Sequence, residues 1–176
     1  MHYLYHRVPE NMSGHILYPL NVLKEKDIDL YTAHASKYKG REVIMEDRLP
    51  FLNCLWNDVL HMSAVHPRDI KRALIEAGKK GDFVLECFEI DPHLLDSRST
   101  IVFLAQNDTR TDKLLESNFA PYNPNDIAQY ATLSQVTKDY YRSKYEQGEN
   151  PLLFHKIPHI LYKGELDTRL FKRVVV

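Results

Sequence analysis

The stretch Asn53-Cys54-Leu55-Trp56-Asn57-Asp58-Val59-Leu60-His61 packs an indole, two amides, a carboxylate and an imidazole into one short run. Asn53, Asp58 and His61 are types that fix a ligand by hydrogen bonds, and Trp56 offers a stacking face. The competing reading is a turn and an edge strand, with Asn and Asp bonding their own backbone. Asp58 and His61 are three apart. On a helix they share a face and suit a small-molecule hydrolase or lyase. On a strand they point to opposite faces and the pair has no meaning.

A second polar intrusion is His6, set among Tyr3, Tyr5 and Arg7. An imidazole in an aromatic strand must find a partner or face a cleft. Glu86 and Glu89 fall on opposite faces of a strand. One of them then points inward or sits at a sheet end, where burial raises a carboxyl pKa, unless that face is wet.

Other chemistry is excluded by spacing. The nine histidines form no His-Glu-x-x-His, and no Cys-x-x-Cys exists. His155 and His159 are split by Pro158, and His61 and His66 flank a proline junction, so no metal site is expected. The six glycines never cluster into a phosphate loop or dinucleotide fingerprint. Cys54 and Cys87 lie in apolar runs and read as buried, reduced thiols.

These groups are carried by short elements. Residues 2–8 read as a strand ended by Pro9. Pro19 opens a helix with Leu20 and Leu23, and Asp27 caps a second, whose face is Tyr31, His34, Ala35 and Tyr38, with Gly40 as its stop. Residues 42–65 are ambiguous between strand and helix. Pro67 opens a helix over 67–77, closed by Gly78. Strands are predicted over 82–90, 100–105, 157–162 and 170–176. A long helix is predicted over 124–146, with Tyr130, Tyr140, Tyr141 and Tyr145 on its apolar side. Strands and helices do not alternate strictly. The expected class is α+β, one domain over residues 1–176, with a mixed or largely antiparallel sheet and flanking helices.

Composition agrees with a globular chain. It has 176 residues, 44% hydrophobic and 27% charged, with a net charge of −1. No strong basic field attracts nucleic acid. No apolar run spans a bilayer and the N-terminus lacks a signal-peptide pattern, so the expected location is the cytoplasm. Eleven tyrosines suit half-buried positions. If the 124–146 face is exposed, it marks a noncatalytic interaction module or a homodimer; if buried, it is core.

Tyr3-Leu4-Tyr5-His6-Arg7-Val8-Pro9 resembles the opening strand of ADP-ribosyltransferase-fold proteins, above all the DNA-modifying toxins. Leu49-Pro50-Phe51-Leu52-Asn53, the run from Phe83 to Leu95, and Ile157-Pro158-His159-Ile160-Leu161-Tyr162 extend that likeness. The resemblance implies NAD as substrate, no metal, and ADP-ribose transfer to an unidentified acceptor. It assigns His6 to the NAD ribose, with a nearby tyrosine such as Tyr18 and with Arg41 or Arg48 as the cationic residue that helps position NAD. The family sets a catalytic Glu at or just before the terminal strand. Here that neighbourhood reads His155-Lys156-Ile157-Pro158-His159, and the nearest Glu is Glu165, downstream; either Glu165 is the catalytic residue through a shifted register, or the catalytic function is absent.

Overall fold

The computed structural model describes residues 2–40, 42–105 and 114–176. Its first half contains β1 (Leu4–Arg7), β2 (Ile16–Leu17), α1 (Leu20–Lys26), α2 (Ile28–Ala35), β3 (Arg48–Leu49), β4 (Cys54–Leu55), β5 (Leu60–Met62), α3 (Pro67–Glu76) and β6 (Glu86–Ile90). The second half contains β7 (Thr100–Phe103), β8 (Phe119–Pro121), α4 (Gln135–Glu146), β9 (His159–Tyr162), β10 (Leu166–Asp167) and β11 (Lys172–Val175). The class is α+β, and every ladder is antiparallel.

Helix starts follow local chemistry. The Asp27 carboxylate accepts the Leu30 amide at 2.9 Å and caps α2. Pro67 fills the first position of α3, where a missing N–H costs nothing, and the His66 ring accepts the Arg68 amide at 3.1 Å. Ile70, Ala73 and Leu74 then face inward at helical spacing.

The 124–146 expectation needs correction. Pro124–Tyr130 is a 3₁₀ segment, and α4 begins afresh at Gln135. Ser134 causes the break: its hydroxyl accepts the Thr137 amide at 3.2 Å, a capping bond that replaces the backbone partner a continuous helix would supply. The ambiguous stretch 42–65 resolves into 3₁₀ Glu42–Glu46, the β3–β4 hairpin, 3₁₀ Trp56–Asp58 and β5.

Two sheets organise the core, in orders β1-β6-β11 and β5-β9-β7-β8. The core they share joins Leu4, Phe88 and Ile90 of the first to Leu60, Met62, Val102 and Ile160 of the second. The opposite face of the four-stranded sheet carries Ile101, Phe103, Phe119 and Leu161. It packs on Leu49, Cys54, Trp56 and Val59 from the hairpin region. α3 and α4 close a third cluster around Tyr141. Tyr141 is fully buried and donates its hydroxyl to the Leu153 carbonyl; Tyr140 accepts the Leu152 amide at 3.1 Å. Tyr130, Tyr140 and Tyr145 are half-buried against these cores. Tyr141 is therefore core, and the other three tyrosines pack partly against it or the neighbouring cluster. Among the described residues no helix is long and apolar enough to cross a membrane.

Candidate functional site

β1 and β5 are joined by one isolated bridge, in which Tyr5 and Ser63 exchange amide and carbonyl at 2.7 and 3.0 Å. Side chains alternate along each strand, so His6 shares its face with Leu4, toward the core between the sheets. It is half-buried, and its Nδ1 donates to the Arg7 carbonyl at 2.7 Å. Burial pushes the imidazole down to about 4, with Lys37 and His34 adding repulsion. His34 is itself lowered by burial, with Lys37 and Arg7 pushing down against Glu10. Arg7 and Glu10 pair at 3.0 Å. β1, α2 and the turn after it thus bring His6, Arg7, His34 and Lys37 together, with Glu10 as the carboxylate among the groups named.

A second constellation lies on the other face of the four-stranded sheet. His61 is opposite Leu161, and His159 is opposite Phe103, so all four share one side. The His61 and His159 rings are half-buried with centroids 5.9 Å apart. Trp56 lies 4.7 Å from His61 and 6.2 Å from His159, and Phe103 stacks on His159 at 6.1 Å. Trp56 is 3% exposed. The stacking face expected of Trp56 is therefore occupied by protein rings, and the indole is a floor. The His61 Nε2 lies 2.9 Å from the Trp56 carbonyl. A carbonyl only accepts, so Nε2 carries a proton in this contact.

The remaining expected residues divide among other places. Asp58 is in the 3₁₀ turn, where its carboxylate accepts the Asn21 amide group and the Leu55 N–H, each at 2.7 Å. It braces α1 against the turn, and His61 uses a different partner; the helical spacing that would pair them is not formed. Arg48 is exposed and donates to Asn53 at 2.9 Å, across the tip of the β3–β4 hairpin. Those two residues, with Leu49, Pro50, Phe51 and Leu114, line a groove of about 360 Å³. Tyr18 is half-buried just after β2, and Glu165 is exposed just before β10, the strand that pairs with β2. Arg41 lies outside the described residues.

Glu86 shares a face with Phe88 and pairs with Arg173 at 3.0 Å, near the sheet end. Glu89 lies on the other face and receives the Tyr5 hydroxyl; burial and this carboxylate push Tyr5 up to about 12. Both cysteines are buried and free. Burial raises both thiols, Cys87 to about 11. Sequence reasoning passed over His159 as a site residue because it weighed only metal spacing.

Comparison with protein-family models, curated proteins and solved structures finds no match.

Proposed function

We propose that this chain is an ADP-ribosyltransferase-like domain that binds NAD, or a related nucleotide, beside His6. The observation that carries the reading is the gathering of His6, Arg7, His34 and Lys37 from β1 and the α2 region. Arg7 and Lys37 supply positive charge there, and a pyrophosphate is a fitting anion for them. The depressed imidazole of His6 is neutral at pH 7 and offers hydrogen bonds to a ribose hydroxyl rather than charge. Transfer of ADP-ribose would need a group that steadies positive charge developing at the ribose carbon. Glu10 is the carboxylate in this cluster, and Glu165 is exposed on the β9–β10 turn.

Isothermal titration calorimetry with NAD tests the binding claim. Wild type should give a saturable heat, and His6→Ala and Lys37→Ala should each weaken binding about tenfold, near the 1.4 kcal/mol of one good polar contact. Absence of heat with wild-type protein removes the reading.

A further inference from the structure

The geometry points to a ligand site at the tip of the β3–β4 hairpin: its groove takes a small aromatic carboxylate, the ring stacked on Phe51 and the carboxylate paired with Arg48. The groove measures about 360 Å³, within the roughly 300–1,000 Å³ range of small-molecule sites. Its frame is fixed. Leu49 and Cys54 pair across the hairpin, and both are buried in the core beneath it. Side chains mounted on such a frame hold their places before a ligand arrives.

The turn itself is built against local preference. The Leu52 N–H donates to the Pro50 carbonyl at 2.8 Å, closing a three-residue turn with Phe51 at its centre, at φ +68°. A γ-turn with positive φ at its centre is the rare, strained form. Glycine adopts that φ without steric cost. The turn sends Leu52 into the core and leaves Phe51 69% exposed. A bulky apolar ring is thus kept where both its backbone and its exposure are unfavourable. Breaks of this kind, with no packing gain at the residue itself, gather at functional positions. An open ring face is what a second aromatic group stacks on.

Polar groups in the groove choose the rest of the ligand. Arg48 Nη2 donates to Asn53 Oδ1 at 2.9 Å, which occupies the one side-chain acceptor there. Arg48 Nε and Nη1 and Asn53 Nδ2 have no hydrogen-bond partner among the described residues, and no described carboxylate pairs with Arg48. The groove therefore offers side-chain donors and one unbalanced positive charge, so its ligand accepts hydrogen bonds and carries negative charge. A planar carboxylate matches the guanidinium fork. Lys163 adds a second positive charge nearby, its Nζ bonded to the Leu52 carbonyl at 3.1 Å. Arg48 and Lys163 both act on the Cys54 thiol, drawing it downward against burial. Asp58, the acidic group acting on the same thiol, has its two oxygens taken by Asn21 and the Leu55 N–H.

The test is calorimetric titration of the full chain with naphthoate. Wild type should give saturable binding. Naphthamide, a neutral carrier of the same ring, should bind roughly 10–100-fold more weakly. Cyclohexanecarboxylate, which keeps the charge and loses the aromatic face, should bind about tenfold more weakly. Arg48→Gln should weaken naphthoate roughly 10–100-fold and leave naphthamide unchanged, a difference that a merely structural role would not produce. Phe51→Gly should lose about tenfold in naphthoate affinity while unfolding at no lower urea than wild type, because glycine relieves the turn. Naphthyl phosphate should bind no better than naphthoate. Absence of saturable binding to wild type, equal affinity for naphthoate and naphthamide, an Arg48→Gln variant with full naphthoate affinity, or a preference for the phosphate overturns the proposal.

Discussion

Asn57 provides a sharp test of how the candidate region is held. It sits in the 3₁₀ turn between Trp56 and Asp58, is 1% exposed, and neither Oδ1 nor Nδ2 has a hydrogen-bond partner. An unpaired buried polar group costs roughly 1–3 kcal/mol. Asn57 contains one donor group and one acceptor. Taking the lower bound for each, the amide costs about 2 kcal/mol of stability. Asn57→Leu keeps the branching and the number of side-chain heavy atoms while removing both polar groups. It should raise the unfolding free energy by about 2 kcal/mol. For a chain of this size that is about 4–8 °C in Tm. Urea unfolding followed by tryptophan fluorescence reads the change directly, since Trp56 is the neighbouring residue and the only tryptophan. Asn57→Ala is the control for volume: it removes the same amide but leaves a hole, and should fall about 2–5 kcal/mol below the Leu variant. A folded Leu variant that unfolds at lower urea than wild type refutes the reasoning. The amide would then be making hydrogen bonds worth more than its desolvation.

Removing the Tyr141 hydroxyl (Tyr141→Phe) leaves the Leu153 carbonyl unpaired in the third core and should cost about 1–3 kcal/mol by urea unfolding. His6 titrates near 4 when folded, so the unfolded chain binds the extra proton between about pH 6.5 and 4. Its contribution is fully present above that window and lost as pH falls through it, to a limit of about 3 kcal/mol at roughly 1.4 kcal/mol per pH unit. His6→Gln should flatten this part of the stability–pH curve. His93 acts in the opposite sense. Its two ring nitrogens face Asp91 and Asn125 oxygens at 3.0 and 3.3 Å, and the Asp91 bond, then Asn125, raises its pKa. Its stabilisation is present below the unfolded value and lost as pH rises through the folded one; a nuclear magnetic resonance titration that finds it lowered contradicts this. Cys87, raised to about 11, should react with a thiol reagent at pH 8 only after unfolding, and prompt labelling of native protein would show that the site is open.

Much of the local structure was legible in the sequence because it depends on contacts a few residues apart. Asp27 and Pro67 announce the starts of α2 and α3 by capping and by a fixed φ, and the apolar spacing of Ile70, Ala73 and Leu74 shows which side is buried. The alternation around His6 and the apolar run ending at Ile90 mark β1 and β6, which prove to be neighbours. The same local logic misled over 124–146. Helical spacing there is real, but the hydroxyl of Ser134 competes for the backbone and restarts the helix.

Long-range placement was not available from the chain alone. His61 and His159 meet because β5 and β9 are adjacent in the sheet, and strand order is decided by which apolar faces bury together, not by spacing. Whether Trp56 offers a ring face to solvent or lies beneath two imidazoles depends on that same packing. Asp58, an apparent acid–base candidate, became a brace for α1 because the turn aims it at Asn21. Sequence by itself determined the α+β class, the inert thiols and the residue types able to do chemistry, since these follow from composition and short-range periodicity. Tertiary structure alone decided which of those residues meet, because side chains from distant segments are brought into contact only when the sheets close over their shared core.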